Sequence, residues 1–252
     1  MEHLQSSSKI FAVIETLCLN GDLGISELSR KLNLGKSSVH RFLSILKGLG
    51  YVDKNQNSKK YFATLKLFEI GAMVRGRNQL VKMARPYMEE LGNRFHETVN
   101  LAFFENNEVV YVDKVESVQT LRMDLTIGRR VPAYCTALGK VFLAYLPEDH
   151  LGRYCEEVQF KPTAQKTITS TKELIKNLEL VRKEGLAIDD RELDNGIRCI
   201  AAPVSDISGK VIAAVSIAGP SSRITMEMLK QFKVPLLEAT RMISQKLGYI
   251  QL

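Results

Sequence analysis

The sequence contains no tryptophan, only 7% aromatic residues and only four cysteines, and its scarcities exclude several kinds of protein. Cys18, Cys135, Cys155 and Cys199 are scattered without a C-x-x-C pair, so neither a disulfide framework nor a zinc module is written here. They read as small, reduced, mostly buried hydrophobes. No run reaches the ~18 consecutive apolar residues that a membrane helix needs, and Met1-Glu2-His3-Leu4-Gln5 lacks the basic and apolar segments of a signal peptide. A cytoplasmic protein without a membrane partner is the expectation. The glycine patterns of phosphate and dinucleotide loops and the G-x-S-x-G elbow are missing. The histidines His3, His40, His96 and His150 do not pair at ligand spacing, so no catalytic residue, no metal and no cofactor is expected. The remaining enzyme option is a thiol–imidazole pair of Cys135 with His96 or His150.

What is present is a globular composition: 252 residues, 45% apolar and 25% charged, enough for one large domain or two smaller ones. The formal charge is +7 and unevenly spread. Residues 1–62 hold nine basic side chains against five acidic ones, whereas the rest of the chain is nearly balanced. A local basic excess is what a polyanion feels. It points to a small nucleic-acid-facing domain in front of a larger one.

In the first segment, Ile10, Val13, Ile14, Leu17 and Cys18 recur at helical spacing behind a serine run at 6–8 that can cap a helix. A second helix is expected after Gly24, with Ser26 as its N-cap and Leu28 and Leu32 on its inner face. A third runs from Lys36 or Ser37 to about Leu49 and buries Val39, Phe42, Leu43 and Leu46. Two short helices joined by the tight break Asn33-Leu34-Gly35 form the helix-turn-helix pattern, whose second helix enters the major groove. The outward face of the third helix carries Lys36, Ser37, Ser38, His40, Arg41, Ser44 and Lys47 without a carboxylate, chemistry suited to phosphates and base edges. Short strands at 51–54 and 59–63 flank Asn55-Gln56-Asn57-Ser58 and make a wing, with Lys59 and Lys60 placed to reach a flanking phosphate. A solvated three-helix surface is the alternative for this pattern.

The strings Ile25-Ser26-Glu27-Leu28-Ser29-Arg30-Lys31-Leu32, Lys36-Ser37-Ser38-Val39-His40-Arg41-Phe42-Leu43 and Gly48-Leu49-Gly50-Tyr51-Val52 resemble the winged helix-turn-helix of the IclR family of bacterial transcription regulators. Tyr134-Cys135-Thr136-Ala137-Leu138-Gly139-Lys140, Asp189-Asp190-Arg191-Glu192, Gly196-Ile197-Arg198-Cys199-Ile200 and Ala213-Ala214-Val215-Ser216-Ile217-Ala218-Gly219-Pro220 resemble signature stretches of that family's effector domain. The likeness covers nearly the whole chain, in order. It implies a DNA-binding regulator, a repressor controlled by a small organic acid, with a transcriptional activator of a catabolic operon or a small-molecule-binding protein as the alternative. It also implies a homodimer or homotetramer on double-stranded operator DNA. A dimer presents two third helices to half-sites about 34 Å apart or a multiple of that, so the operator is expected to be near-palindromic.

Beyond residue 64 the chain reads as a mixed α+β domain. A short helix at 64–76, broken by Gly71 and Gly76, is the expected linker, giving domains 1–64 and 79–252 joined by 65–78. A helix is expected at 79–95, strands at 98–105 and 109–115 around Asn106-Asn107, helices at 137–146 and 173–184, strands at 198–205 and 211–217, and a closing helix at 225–247. The resemblance makes this a GAF-like antiparallel sheet with packed helices. It implies effector contacts from Ala137, Leu138, Asp189, Ile197, Cys199 and Ser216, of which Ala137 and Leu138 open a helix whose N–H groups suit a carboxylate. From the residues alone, Ala137 and Leu138 equally suit helix packing, and Cys199 and Ser216 equally suit core positions. Ala218 departs from the Ser-x-Ser-Gly-Pro of many family members and removes a hydrogen-bond donor. Asp189 must meet a ligand hydroxyl or hold a proton, while Asp190 and Glu192 read as solvated loop charges. Arg122-Met123 and Ile127-Gly128-Arg129-Arg130 resemble the sugar-acid regulators of the family, which implies a sugar-derived 2-keto acid as ligand.

Overall fold

A computed structural model describes residues 2–77, 79–122 and 126–249. Asn78 of the expected linker and Met123 of the Arg122-Met123 pair lie outside the described residues. The chain divides into two compact units, Met1–Arg77 and Asn78–Leu252.

The first unit contains α1 (Glu2–Asn20), α2 (Ile25–Leu32), α3 (Lys36–Gly48), β1 (Val52–Lys54), β2 (Tyr61–Ala63) and α4 (Lys66–Arg77). α1 begins at Glu2, so the serine run at 6–8 lies inside it instead of capping it; no Gly or Pro before it stops the helical ladder. The expected cap of α2 is also displaced. Gly24 is the N-cap, and the Glu27 carboxylate accepts its backbone N–H at 2.8 Å, so Ser26 is a first-turn residue. Asn33 closes α2 in the left-handed conformation at φ 51°, which an asparagine tolerates. Val13, Leu17, Leu28, Val39, Phe42 and Leu43 meet in one core with Val52 and Tyr61 of the wing. Leu23 and Tyr61 exchange backbone hydrogen bonds of 3.0 and 2.8 Å, fastening the wing to the α1–α2 connection. α4 runs unbroken through Gly71, because glycine keeps its N–H and costs a helix only ~1 kcal/mol. Its first turn is held at the wing, where Lys66 Nζ donates to Leu49 O at 2.6 Å and sits over the Tyr51 ring.

The second unit follows with α5 (Gln79–Phe95), β3 (Thr98–Glu105), β4 (Glu108–Val115), β5 (Arg130–Pro132), α6 (Ala137–Ala144), α7 (Glu148–Glu157), α8 (Thr171–Glu184), β6 (Ala187–Asp190), β7 (Ile197–Ser205), β8 (Val211–Pro220) and α9 (Met226–Lys246). Asn106 and Asn107, both at positive φ, make the tight β3–β4 turn. The strands form one antiparallel sheet in the order β5-β4-β3-β8-β7-β6. Alternation along the central strands sorts residues by size. Val99, Leu101, Ile200, Val215 and Ile217 pack against α5 and α9, whereas Ala102, Ala201, Ala214 and Ala218 face α6 and α8. Small side chains on that second face leave room between sheet and α6.

Candidate DNA interface and effector site

The outward face of α3 follows from its inward one: burying Val39, Phe42, Leu43 and Leu46 leaves Lys36, Ser37, His40, Arg41 and Ser44 exposed and Ser38 half-buried. Ser26 is exposed in the first turn of α2, and Lys59 is exposed at the wing turn with φ 58°. The Asn55 side chain builds that turn by accepting from the backbone N–H groups of Asn57 and Ser58 at 2.9 and 3.1 Å. Two of the basic groups are already engaged. Lys60 pairs with Glu27 at 3.2 Å and Lys47 with Asp53 at 2.7 Å, so a phosphate at either must displace a carboxylate. These hydrogen bonds hold Glu27 and Asp53 below the usual carboxylate range, the backbone N–H of Gly24 being the largest influence on Glu27 and the Lys47 ammonium on Asp53.

In the second unit, strand register assembles the other candidate residues. Asp189 lies opposite Cys199, Cys199 opposite Ala218, and Ala218 opposite Thr98; two residues along, Ser216 lies between Asn100 and Ala201. Ala137 and Leu138 bring the first turn of α6 over this row, and Thr136 caps it by accepting from Gly139 N at 3.0 Å. Between sheet and helix is a small cavity of about 10 Å³, room for about one water, lined by Ala137, Leu138, Asp189, Cys199 and Ser216, five of the six expected residues. Ile197 is not among the lining. It shares the face of Cys199 but sits one pleat further along β7, where it packs against the core. The sequence reading missed Tyr111, Thr136 and Leu193, which also line the cavity.

The polar floor of this site overturns one expectation. Glu192 is buried, and its Oε1 is 2.6 Å from Nζ of the fully buried Lys140, which also donates to Ile188 O. The Glu192 backbone N–H donates in turn to Asp189 Oδ1 at 2.7 Å. Asp190 is likewise no free loop charge, being paired with Arg198 at 2.7 Å and with Lys166. A signal for the buried pair existed: Lys140 stands in a helix otherwise made of Ala, Leu, Gly, Val and Phe, and a buried ammonium requires a carboxylate. Burial pushes the Asp189 carboxyl up to about 7 against the pull of the Glu192 N–H, and pushes Glu192 upward too. Burial also lifts the Cys135 thiol to about 12 and Cys199 well above its ordinary value. Both stay protonated near neutral pH, and His96 and His150 are exposed, so the thiol–imidazole option lacks its thiolate.

The family description "IclR helix-turn-helix domain" matches residues 8–56, and "Bacterial transcriptional regulator IclR C-terminal" matches residues 72–245. The chain belongs to the IclR family. It is 40% identical to the HTH-type transcriptional regulator KdgR of Escherichia coli K12 over 98% of this chain and 94% of that one. It is also 40% identical to KdgR of Dickeya chrysanthemi, over 98% and 81%. Among solved structures, the Thermotoga maritima IclR superposes with a TM-score of 0.81 at 35% identity, covering 98% of this chain and 100% of that one. This IclR-family chain is thus a DNA-binding transcriptional regulator of the KdgR-like branch, and these relatives are regulators and not enzymes. Among the described residues, no helix of this family member is long and apolar enough to cross a membrane.

Proposed function

We propose that this regulator is a repressor whose operator binding is released by a small organic acid, a sugar-derived 2-keto acid, held between α6 and the sheet. The observation that carries the reading is the convergence of Ala137, Leu138, Asp189, Cys199 and Ser216 from one helix and three strands on one cavity. The first-turn N–H groups of α6 suit a carboxylate, and a protonated Asp189 offers a donor where a carboxylate would repel the ligand. DNA contact is assigned to Ser26, Lys36, Ser37, Ser38, His40, Arg41, Ser44, Lys59 and Lys60, in a homodimer or homotetramer. Domain bounds of 1–64 and 79–252 leave 65–78 as the connection. The acid changes DNA affinity only as far as it binds one arrangement of the chain more tightly than another.

The experiment is a calorimetric titration with 2-keto-3-deoxygluconate, paired with a reporter on a bound promoter. Saturable heat and a reporter that rises on deletion of the gene are expected. No heat while another acid saturates refutes the ligand, and a falling reporter refutes repression.

Two further outcomes follow from the geometry. Arg41→Ala weakens operator binding and lowers the salt dependence, log K against log salt, by about 0.9, one phosphate's worth; unchanged affinity and slope remove Arg41 from the interface. Acid affinity depends on pH through Asp189. Its folded pKa, about 7, lies above its ordinary 3.8, so the native state holds a proton there that the unfolded chain has lost, and stability falls as pH rises between the two values. An anionic ligand therefore binds progressively more weakly as pH rises through 7, approaching about tenfold per unit above it, and Asp189→Asn flattens that profile. A wild-type affinity constant from pH 6 to 8.5 contradicts the assignment.

A further inference from the structure

Beside the cavity lies a polar pair that neither the helix cap nor the buried ion pair uses. Asn100, on β3, is 1% exposed and stands directly opposite Ser216 on β8. Its Nδ2 donates to Ser216 Oγ at 3.3 Å, while its Oδ1 is buried with no hydrogen-bond partner. Asparagine is disfavoured in a strand interior, and a half-satisfied buried amide is worse than an apolar side chain of the same size. Fold stability therefore does not explain Asn100.

Its position does. Ser216 lines the cavity from β8 and Tyr111 lines it from β4, opposite Ala102 and one pleat from Asn100. Asn100 thus stands on the strand between two lining residues, on the face that carries the cavity. The orientation of a side-chain amide is assigned from its partners. Turned over, Asn100 accepts from the Ser216 hydroxyl and leaves its NH2 unpartnered. In either orientation one edge of a buried amide lacks its counterpart, and a ligand hydroxyl, which both donates and accepts, completes either edge. A keto oxygen or a carboxylate serves only one. This polar end starts at Ser216, two strands from Asp189, and reaches Asn100, three strands away, roughly 10 to 14 Å across the sheet. Binding that widens the cavity by moving α6 off the sheet lets one molecule present an acid group to the α6 end and a hydroxyl to this one.

We propose that Asn100, acting with Ser216, is a specificity-determining residue that reads a hydroxyl group on the effector, so that the regulator prefers hydroxylated acids to their unhydroxylated counterparts. The proposal rests on reading the cavity as an acid site. A site built to bond a hydroxyl rejects the analogue lacking it much more strongly than a missing methylene would require.

The test compares 2-keto-3-deoxygluconate with 2-oxohexanoate, which has the same six-carbon chain and 2-keto acid head but no hydroxyls, by calorimetry on the full chain. Wild type is expected to bind the first at least about tenfold more tightly. Asn100→Leu, which keeps the branched heavy-atom outline and removes the amide, is expected to narrow that ratio by about tenfold; Asn100→Thr, which keeps a hydrogen-bonding group on a strand-favouring residue, retains more of it. Equal binding of the two acids by wild type overturns the proposal without any variant and leaves the acid site standing. A preference that survives intact in a folded Asn100→Leu protein overturns the role of Asn100. If neither acid binds wild type, this proposal fails together with the ligand reading it rests on, and saturation by another acid would leave the acid site alone standing.

Discussion

Gly139→Ala is expected to destabilise the second unit by about 3 kcal/mol or more, at the upper end of what an added methyl costs a packed core. A Cβ at Gly139 would lie 2.2 Å from Ala133 O, 2.3 Å from its Cα and 2.6 Å from its carbonyl carbon. All three are backbone atoms, so no rotamer change relieves the clash. Either α6 lifts from the 133–136 turn or the turn moves, and each alternative opens the Thr136 cap that orients the first turn of α6 over the cavity. Thermal denaturation of the full chain should show a fall of roughly 6–12 °C for the unit's transition, from 2–4 °C per kcal/mol at this size. Gly152→Ala is the control. It lies within α7 with nothing within 4 Å of its added Cβ, and gains the usual ~1 kcal/mol advantage of alanine over glycine in a helix. Equal stability of Gly139→Ala and wild type would mean that α6 does not press on the turn as described.

The second large effect concerns Lys140 and Glu192. Taking one member from a buried ion pair leaves an uncompensated charge and typically costs 3–5 kcal/mol, about which Glu192→Leu should fall, because it strands an ammonium with no exposure at all. Lys140→Met differs in its pH behaviour. The remaining carboxyl, already raised by burial, loses the ammonium that favoured its charged form and rises further. The native state then holds a proton that the unfolded chain releases, so the cost is small in acid and grows as pH rises through the carboxylate range toward neutrality. The double variant Lys140→Met/Glu192→Leu should recover most of the stability, since two apolar side chains replace a pair that had to be desolvated. Urea denaturation of the three variants at pH 5 and pH 8 gives the comparison. Additive losses in the double variant would show that the two side chains act separately. Because the Glu192 N–H also holds Asp189, the single variants should blunt the acid response even where the chain remains folded.

The contrast between these two sites and the DNA-facing segment indicates how much the sequence revealed. α3 was legible because amphipathic periodicity fixes both faces at once: the spacing that buries Val39, Phe42 and Leu46 dictates that Lys36, His40 and Arg41 point outward. The long elements α5, α8, β7, β8 and α9 were legible for the same reason. β5, α7 and β6 were not, being short segments of three, ten and four residues whose pairing or packing comes from distant neighbours. Caps were misplaced where a glycine with a reaching glutamate does the work of a serine, as at Gly24 and Glu27. In the cavity, the likeness to the family supplied Ala137, Leu138, Asp189, Cys199 and Ser216, and register explains why residues so far apart in the chain meet. Glu192 was misread because a carboxylate in a polar loop looks solvated until its partner, 52 residues upstream in a helix, is known to be buried. Tyr111 suits a strand and Asn100 only weakens one, so neither points to the cavity by itself, and only the sheet order brings them to Ser216.

The central claim, that an acid in the second unit controls the DNA binding of the first, is tested most directly by recovering genomic fragments with the purified protein at physiological salt, with and without 2-keto-3-deoxygluconate, and sequencing them. The account predicts enrichment of a few intergenic sites sharing a near-palindrome, lost when the acid is added and lost without it in an Arg41→Ala, Lys36→Ala variant. Enrichment that is indifferent to the acid, or no site enriched over scrambled fragments under either condition, would contradict it.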